Sequence, residues 1–290
     1  MKTLTFNGKS TNEFGIVIQE PPVYDFPEKD YSIQHVPGRT GDIVVDLGSY
    51  KNTQRTYNMV NVFTNEAKTI YPWKTGTTPL AADFITRARA MVKWFMDAKG
   101  YCRLEDDYEP DVYRKAMYYA SGSFANLYDQ GTAIQATFEC KPQRFYKVGS
   151  QPTHYEFDEF MEINNVHKDD SSYPVVTFNA NTVFSSSTTL VLERAGGSTL
   201  RDSFTFEFTD MSVTPSSITI DWENRKVYDE NGNNLNEYLI IKHTILGETT
   251  KILENFPENI FTLINEETGI ITFSNNQLSS IDVTFNWWYI

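Results

Sequence analysis

The chain has 290 residues, a formal net charge of −13 at neutral pH, and 20 Phe, 17 Tyr and 5 Trp. This length predicts two domains, each large enough to bury its own core. The negative charge and the singly scattered Lys and Arg argue against binding along a nucleic-acid backbone, which depends on clustered cations. Because the sequence has no run of about 18 apolar residues and no apolar core after Met1, it predicts neither a membrane span nor a secretory signal.

Short β-strands dominate the predicted elements at the start of the chain. The aromatic and β-branched runs predict strands over residues 6–19 (broken by a turn), 31–36, 42–47 and 55–63. Between the second and third of these, Pro37 and Gly38 fit the central positions of a type II turn. Proline presets φ at the first position and glycine accepts a positive φ at the second, so a tight connection is expected there.

One amphipathic helix follows. Thr78 and Pro79 form a start signal, and Gly100 suits a left-handed C-terminal cap. One apolar face is predicted from residues three and four apart: Leu80, Phe84, Ala88, Met91 and Phe95. Trp94 lies off this stripe and is expected to pack on a second element or on a neighbouring subunit.

A strand over residues 134–141 alternates apolar and polar side chains, and Pro142 ends it. The stretch 147–152 has the composition of a linker, which predicts domains at 1–148 and 149–290. The second half alternates apolar and polar residues in short runs, which is typical of an antiparallel β-sandwich. Asn231-Gly232 predicts a hairpin loop between strands at 226–229 and 238–242. The fold class is therefore mainly β.

The sequence predicts no catalytic, cofactor or metal site. Its four histidines are far apart and form no metal-binding motif, and the nucleotide-binding and acyl-transfer motifs are missing. Cys102 and Cys140 are interpreted as buried, unreactive thiols. The densest carboxylate group, Glu105-Asp106-Asp107 with Glu109 and Asp111, is interpreted as a solvated acidic loop that touches Arg103 or Arg114. The alternative is a glycosidase pair, which requires two carboxyls at a fixed separation in a cleft.

Several motifs resemble, in type and order, those of the distal tail proteins of phages with long, non-contractile tails. The motifs are Phe6-Asn7-Gly8, Phe14-Gly15-Ile16, Pro37-Gly38-Arg39, Tyr50-Lys51-Asn52, the helix with Trp94, Gly100-Tyr101, Leu104-Glu105-Asp106 and Cys140-Lys141-Pro142. The resemblance implies an N-terminal β-rich domain with one helix and an extended hairpin, and a galectin-like C-terminal sandwich. It also implies a structural virion protein and not an enzyme.

The resemblance implies an assembly role at the phage tail tip. Six copies would form a hub ring between the tail tube and the host-adsorption apparatus, assembled in the host bacterial cytoplasm. Its partners would be further copies of itself, the tail tube protein, tape-measure and tail-associated tip proteins, and receptor-binding or baseplate proteins. DNA would pass only as transient cargo, no membrane would be involved, and no cofactor would be needed.

Five residues are candidate subunit contacts: Arg39, Tyr50, Lys51, Asn52 and Trp94. For Arg39, which follows the rigid turn, an ion pair within the chain is the competing interpretation. Two other functions also stay open. A carbohydrate-binding tail module would account for the sandwich and its aromatics, and a glycan-cleaving tail protein would need a carboxylate pair in a cleft.

Overall fold

The computed structural model describes residues 2–23, 26–38, 40–61, 80–119, 123–126, 132–156, 161–164, 171–196, 199–245, 251–253, 256, 268–275 and 277–290. The chain divides into two units, Met1–Phe145 and Tyr146–Tyr289, and the last residue groups with the first unit. Both are built mainly from antiparallel β-strands. The mainly β class predicted from the sequence is confirmed.

The first unit contains short strands and one helix. In its described part these are β1 (Leu4–Phe6), β2 (Lys9–Ser10), β3 (Ile16–Ile18), β4 (Lys29–Gln34), β5 (Ile43–Tyr50), β6 (Thr53–Asn61), α1 (Leu80–Asp97), β7 (Cys102–Asp106), β8 (Val112–Tyr118), β9 (Ser123–Asn126) and β10 (Thr132–Tyr146). The main sheet runs in the order β10-β8-β7-β1-β2, and β6 joins β10 to β3. β4 and β5 pair with each other as a separate two-stranded sheet.

Helix α1 covers the core of the first unit with the predicted stripe. Ala88, Met91 and Phe95 are almost fully buried. The Phe95 ring meets Phe6 and Phe138 edge-on, with centroids 5.8 and 5.1 Å apart. Such pairs add to the free energy that burial alone provides. The predicted start signal at Thr78-Pro79 lies outside the described residues, and no helix in the described ranges is long and apolar enough to cross a bilayer.

The second unit consists of strands throughout its described part. They are β11 (Thr153–Glu156), β12 (Met161–Asn164), β13 (Ser171–Ser172), β14 (Val175–Ala180), β15 (Thr188–Gly196), β16 (Thr199–Phe208), β17 (Ser217–Asp221), β18 (Lys226–Asp229), β19 (Leu239–Ile245), β20 (Lys251–Leu253), β21 (Thr268–Ser274), β22 (Leu278–Thr284) and β23 (Trp287–Tyr289). One sheet has the order β11-β22-β14-β17-β18, and the other has the order β12-β21-β15-β16-β19-β20.

These two sheets form a sandwich around one apolar core. Three alternating residues of β16, namely Phe204, Phe206 and Phe208, are buried, as the alternation predicts. They pack with buried residues of the other sheet, among them Ile218 and Val283. In this part of β16 the period of two therefore sends the phenylalanines inward and leaves the intervening residues half-buried, whereas Ile218, Thr219 and Ile220 of β17 are all buried.

The strand pairing predicted around Asn231-Gly232 is wrong, although the turn is present: Gly232 has a φ of +80° and its amide donates to the Asp229 carbonyl at 3.0 Å. β18 pairs with β17, whereas β19 pairs with β16 in the other sheet. The intervening residues carry the chain from one sheet to the other, and Leu235 is buried on the way. A local turn signal could not reveal this change of sheet, because Asn-Gly favours a tight turn wherever the two strands go afterwards.

The stretch interpreted as a linker is held against the second unit. The Gly149 carbonyl accepts a hydrogen bond from the backbone amide of Asn286 at 3.1 Å. A Cβ on Gly149 would lie 3.0 Å from Trp287 Cδ1, and the glycine has a φ of +77°. The residue must therefore be glycine both for space and for backbone conformation.

Candidate subunit interface

In the described residues, the hairpin formed by β4 and β5 carries apolar side chains that are not buried in the core of the first unit. Seventeen large apolar side chains are exposed in the described residues, and eight of them lie between positions 23 and 47. They are Val23, Phe26, Tyr31, Ile33, Val36, Val44, Val45 and Leu47. Single exposed apolar residues are ordinary, but a concentration of this kind marks a surface that another molecule covers.

The strand register assigns the five of these side chains that lie in β4 and β5 to two opposite faces. Ile33 lies opposite Val44 and Tyr31 opposite Asp46, so the Tyr31 face carries Tyr31, Ile33 and Val44. Residues of the other parity form the Val45 face, which carries Ile43, Val45 and Leu47. Ile43 is half-buried and the other five side chains are exposed.

The hairpin loop is closed by polar contacts. Gly38 has a φ of +83°, as the predicted type II turn requires. Nearer the strands, His35 Nδ1 lies 2.9 Å from Asp42 Oδ1. Arg39 lies outside the described residues, so its predicted subunit contact stays a prediction.

Three of the candidate contact residues lie at the root of the hairpin. Tyr50 is the partner of Lys29 at the end of the ladder. The Lys51 amide donates to the Glu28 carbonyl at 2.8 Å, and Lys51 Nζ lies 3.4 Å from Glu28 Oε2. The base of the hairpin is thus closed by a backbone hydrogen bond and an exposed ion pair, while most residues of the two strands beyond it are exposed.

Asn52 joins the root to the main sheet. Its Nδ2 donates to Tyr101 Oη and to Glu139 Oε1, each at 2.8 Å, and Tyr101 Oη donates to the same carboxylate at 2.5 Å. Partial burial and the bond to Glu139 raise the pKa of Tyr101 to about 12, so the phenol keeps its proton. Whether Tyr50, Lys51 and Asn52 also contact another subunit stays a prediction.

A buried ion cluster anchors β6, the strand that follows the hairpin. Arg55 Nη2 lies 2.9 Å from Asp106 Oδ2 and 3.1 Å from Glu109 Oε2. Tyr57 Oη donates to Asp106 Oδ2 at 2.7 Å, and Glu109 Oε2 lies 2.5 Å from Arg114 Nη2. Burial and the Asp106 carboxylate hold the pKa of Tyr57 well above its ordinary value.

The prediction of a solvated acidic loop is therefore wrong for Asp106 and Glu109, which are both ion-paired with Arg55. Asp106 is 5 % exposed and its second oxygen accepts the amides of Tyr108 and Glu109. The predicted contact of Glu109 with Arg114 is present. The misassignment has a physical reason: the decisive partner, Arg55, lies 51 positions away in the sequence. A buried carboxylate that is ion-paired and accepts hydrogen bonds has the environment of a structural group.

Trp94 lies in the core of the first unit. The capping box of Ser10 and Glu13 shapes a short 3-10 turn at Thr11–Phe14. Phe14 at the end of that turn stacks on Trp94 at 5.5 Å. The indole is 9 % exposed, so of the two predicted roles the packing on a second element is what the structure shows. Its subunit contact stays a prediction.

The exposed hairpin side chains were not among the residues selected from the sequence. The signal was present in Ile43-Val44-Val45, an unbroken apolar run inside a short strand. A strand with one wet face alternates, whereas a run without alternation indicates burial on both faces. Among the described residues, side chains on both faces of the hairpin remain exposed.

The chain is thus a two-unit, mainly β protein with an exposed, apolar two-stranded hairpin. No protein-family model and no curated protein matches the chain. Among solved structures it is similar to the crystal structure of the Dit protein of phage SPP1, described as a paradigm of hub adsorption apparatus in phages that infect Gram-positive bacteria. The match covers 100 % of both chains with a TM-score of 0.58 and 10 % identity. The resemblance to distal tail proteins is thereby confirmed at the level of the fold.

Proposed function

We propose that this chain is a structural protein of a phage tail tip, where six copies form a ring between the tail tube and the adsorption apparatus. The observation that carries the proposal is the projecting hairpin with exposed apolar residues on both sides. The likeness of fold to a hub protein along the whole chain supports it.

The hairpin is a surface suited to assembly between identical copies. A two-stranded sheet alone is marginally stable in water. A partner that covers this hairpin would therefore stabilise it. Burying a Val, Leu or Ile side chain completely contributes about 1.5–3 kcal/mol. A contact of one chain's arm with a different surface of the next chain is heterologous, and such contacts close into a ring when the rotation permits.

The second unit has the complementary role in this proposal. Its buried apolar residues form one internal core, and in this proposal the outer strand faces present a surface to receptor-binding or baseplate proteins. The tail tube protein and tape-measure proteins would contact the ring itself, and DNA would pass through it as cargo. We propose no catalytic role, in keeping with the ion pairing of Asp106 and Glu109 to Arg55.

The test is the mass and shape of the purified full chain. Light scattering and negative-stain microscopy are expected to show a ring with a central hole and about six times the 33.4 kDa chain mass. The variant with both Ile33→Lys and Val45→Lys is expected to stay monomeric. Ile252→Lys is the matched control, because Ile252 is 70 % exposed and lies in the second unit. A chain that is monomeric at every concentration and missing from tail particles would contradict the proposal.

A further inference from the structure

We infer that the first unit contains a binding pocket for a small oxyanion, that is, for a carboxylate or a phosphate group. The polar lining of this cationic pocket consists of Thr53, Gln54, Arg55, Arg114, Lys141 and Arg144, and a valine and two prolines complete the wall. Among the described residues, no acidic side chain lines it. The inference does not depend on the proposed assembly role, since a single chain supplies the whole lining.

The main sheet of the first unit brings the four cations together from three strands. Arg55 belongs to β6, Arg114 to β8, and both Lys141 and Arg144 to β10. β10 pairs with β6 and with β8. Lysines and arginines that are scattered singly along the sequence therefore converge on one pocket.

Two carboxylates outside the pocket lining hold the arginine side chains in place. Arg55 Nη2 lies within 3.1 Å of both Asp106 and Glu109, and Glu109 Oε1 lies 3.7 Å from Arg144 Nη1. Glu109 Oε2 also lies 2.5 Å from Arg114 Nη2. Guanidinium groups that are already fixed lose little conformational freedom when they bind an anion, so the pocket is organised before its ligand arrives.

The lining differs in charge from the chain as a whole. The chain has 38 acidic and 25 basic residues, whereas the described lining has four basic residues and none that is acidic. The side chains of Arg55 and Arg114 are only 5 % and 7 % exposed, and charges interact more strongly away from water. The pocket is therefore a positive site in an acidic protein, and an anion is the ligand of matching charge. The competing interpretation is a closed ion network whose pocket holds only solvent.

The donors in the lining specify an oxyanion. A guanidinium group can donate two parallel N–H bonds to a carboxylate or a phosphate, and the Thr53 hydroxyl and the Gln54 amide are further donors. The space measures about 300 Å³ including its opening to solvent, which suits one such group better than a larger organic ligand. Free phosphate and an acidic side chain of another protein present the same chemistry, and the experiment separates these two sources.

The first experiment is calorimetric titration of the full chain with sodium phosphate and, separately, with a triglutamate peptide. Sodium chloride keeps the ionic strength constant, and a triglutamine peptide is the uncharged control. Saturable binding of one anion per chain is expected. Binding of triglutamate alone would identify a protein carboxylate as the ligand, and binding of phosphate alone would identify a free ion. If neither probe binds saturably, the pocket is a closed ion network and the inference is wrong.

The second experiment locates the bound anion. The pocket variant carries Lys141→Gln and Arg144→Gln, and the matched control carries Lys93→Gln and Lys226→Gln, two exposed positions outside the pocket with the same change in net charge. Binding is expected to weaken about tenfold or more in the pocket variant, because two charge-assisted contacts are lost, and to stay unchanged in the control. Equal affinities of the two variants would place the anion elsewhere and overturn the inference.

Arg55 and Arg114 are left intact, because removing a buried partner of Glu109 would destabilise the fold. Circular dichroism checks that each variant is folded. If the pocket variant is not folded, Lys141→Gln alone replaces it, with Lys93→Gln as its control. A weakening of about threefold or more is then expected for Lys141→Gln, and equal affinities of these two single variants would contradict the assigned pocket.

Discussion

The hairpin of the first unit and the sandwich of the second unit are both antiparallel β-structure with many aliphatic and aromatic residues. The sandwich buries these residues, whereas the hairpin exposes them. In the sandwich, Phe206 and Val283 are fully buried, and their strand neighbours Glu207 and Asp282 are partly exposed. In the hairpin, Ile33 and Val45 are exposed on opposite faces. The sandwich buries its apolar residues between two sheets of the same chain, whereas the apolar residues of the hairpin remain exposed.

This difference separates what stabilises the chain from what assembles it. Apolar area already removed from water contributes to the free energy of unfolding, and apolar area still in water is available for association. Substitutions in the two regions should therefore act on two different measurements. The following predictions test that division, from the largest expected effect to the smallest.

The sharpest contrast is between two truncations to alanine. Phe206→Ala in the sandwich is expected to lower the free energy of unfolding by about 3–5 kcal/mol, because the substitution leaves a cavity among residues that cannot collapse to fill it. Ile33→Ala in the hairpin is expected to change monomer stability by no more than about 0.5 kcal/mol. Urea denaturation of the monomer measures both. Similar losses from the two variants would show that the hairpin packs on its own chain.

The second prediction concerns the buried ion cluster of Arg55, Asp106 and Glu109. Asp106→Asn is expected to cost about 2–3 kcal/mol, because the amide still reaches Tyr57 but leaves the buried Arg55 with Glu109 as its remaining carboxylate. The loss should appear in the unfolding of the first unit and not of the second. Asp107→Asn is the control, since Asp107 contacts Thr3 away from the cluster. Equal effects of the two substitutions would argue against a stabilising ion cluster.

A third prediction concerns the loop of the hairpin. Gly38→Val is expected to cost about 1–3 kcal/mol, because a β-branched residue is strained at a φ of +83°, even though a Cβ there would meet no atom within 4 Å. The hairpin projects from the core, so the loss should appear as faster hydrogen exchange in β4 and β5. Gly38→Asn is the control, since asparagine tolerates positive φ better. Unchanged exchange with valine would contradict the assigned turn.

The local features of both regions could be predicted from the sequence. The helical period of Ala88, Met91 and Phe95 identified the buried stripe of α1, and the alternation around Phe206 identified the inner face of the sandwich. Pro37-Gly38 identified the positive φ of the hairpin loop. Each of these follows from a rule that acts over a few residues, namely the helical period, the pleat or the conformational freedom of glycine.

The features that the sequence did not disclose depend on distant partners. The burial of Asp106 requires Arg55 and Tyr57 from another strand, and the path from β18 to β19 depends on which sheet each strand joins. The exposure of Val44 and Val45 is harder still to predict, because their pattern is that of a buried strand, whereas both side chains are exposed in the described structure. A pattern can indicate that a residue is to be buried without indicating which molecule buries it.

The smallest expected effect is a pH dependence on the outer face of the sandwich, where the side chains are wet. His154 Nδ1 lies 2.7 Å from Asp282 Oδ1, and this bond, aided by Glu156, raises the pKa of the histidine above its ordinary value of 6.5. A raised pKa in the folded state means that the charged histidine stabilises the fold fully below its unfolded pKa, and that this contribution is lost as the pH rises through the folded pKa. NMR titration should therefore give a pKa above 6.5 for His154 and a lower value in Asp282→Asn, because the amide removes the negative partner. His154→Gln should remove the small fall in melting temperature of the second unit as the pH rises above 6.5, since glutamine does not titrate. Self-association is expected to be unchanged by this substitution, because His154 lies in the second unit and outside the hairpin; a change would place part of the contact surface in the second unit.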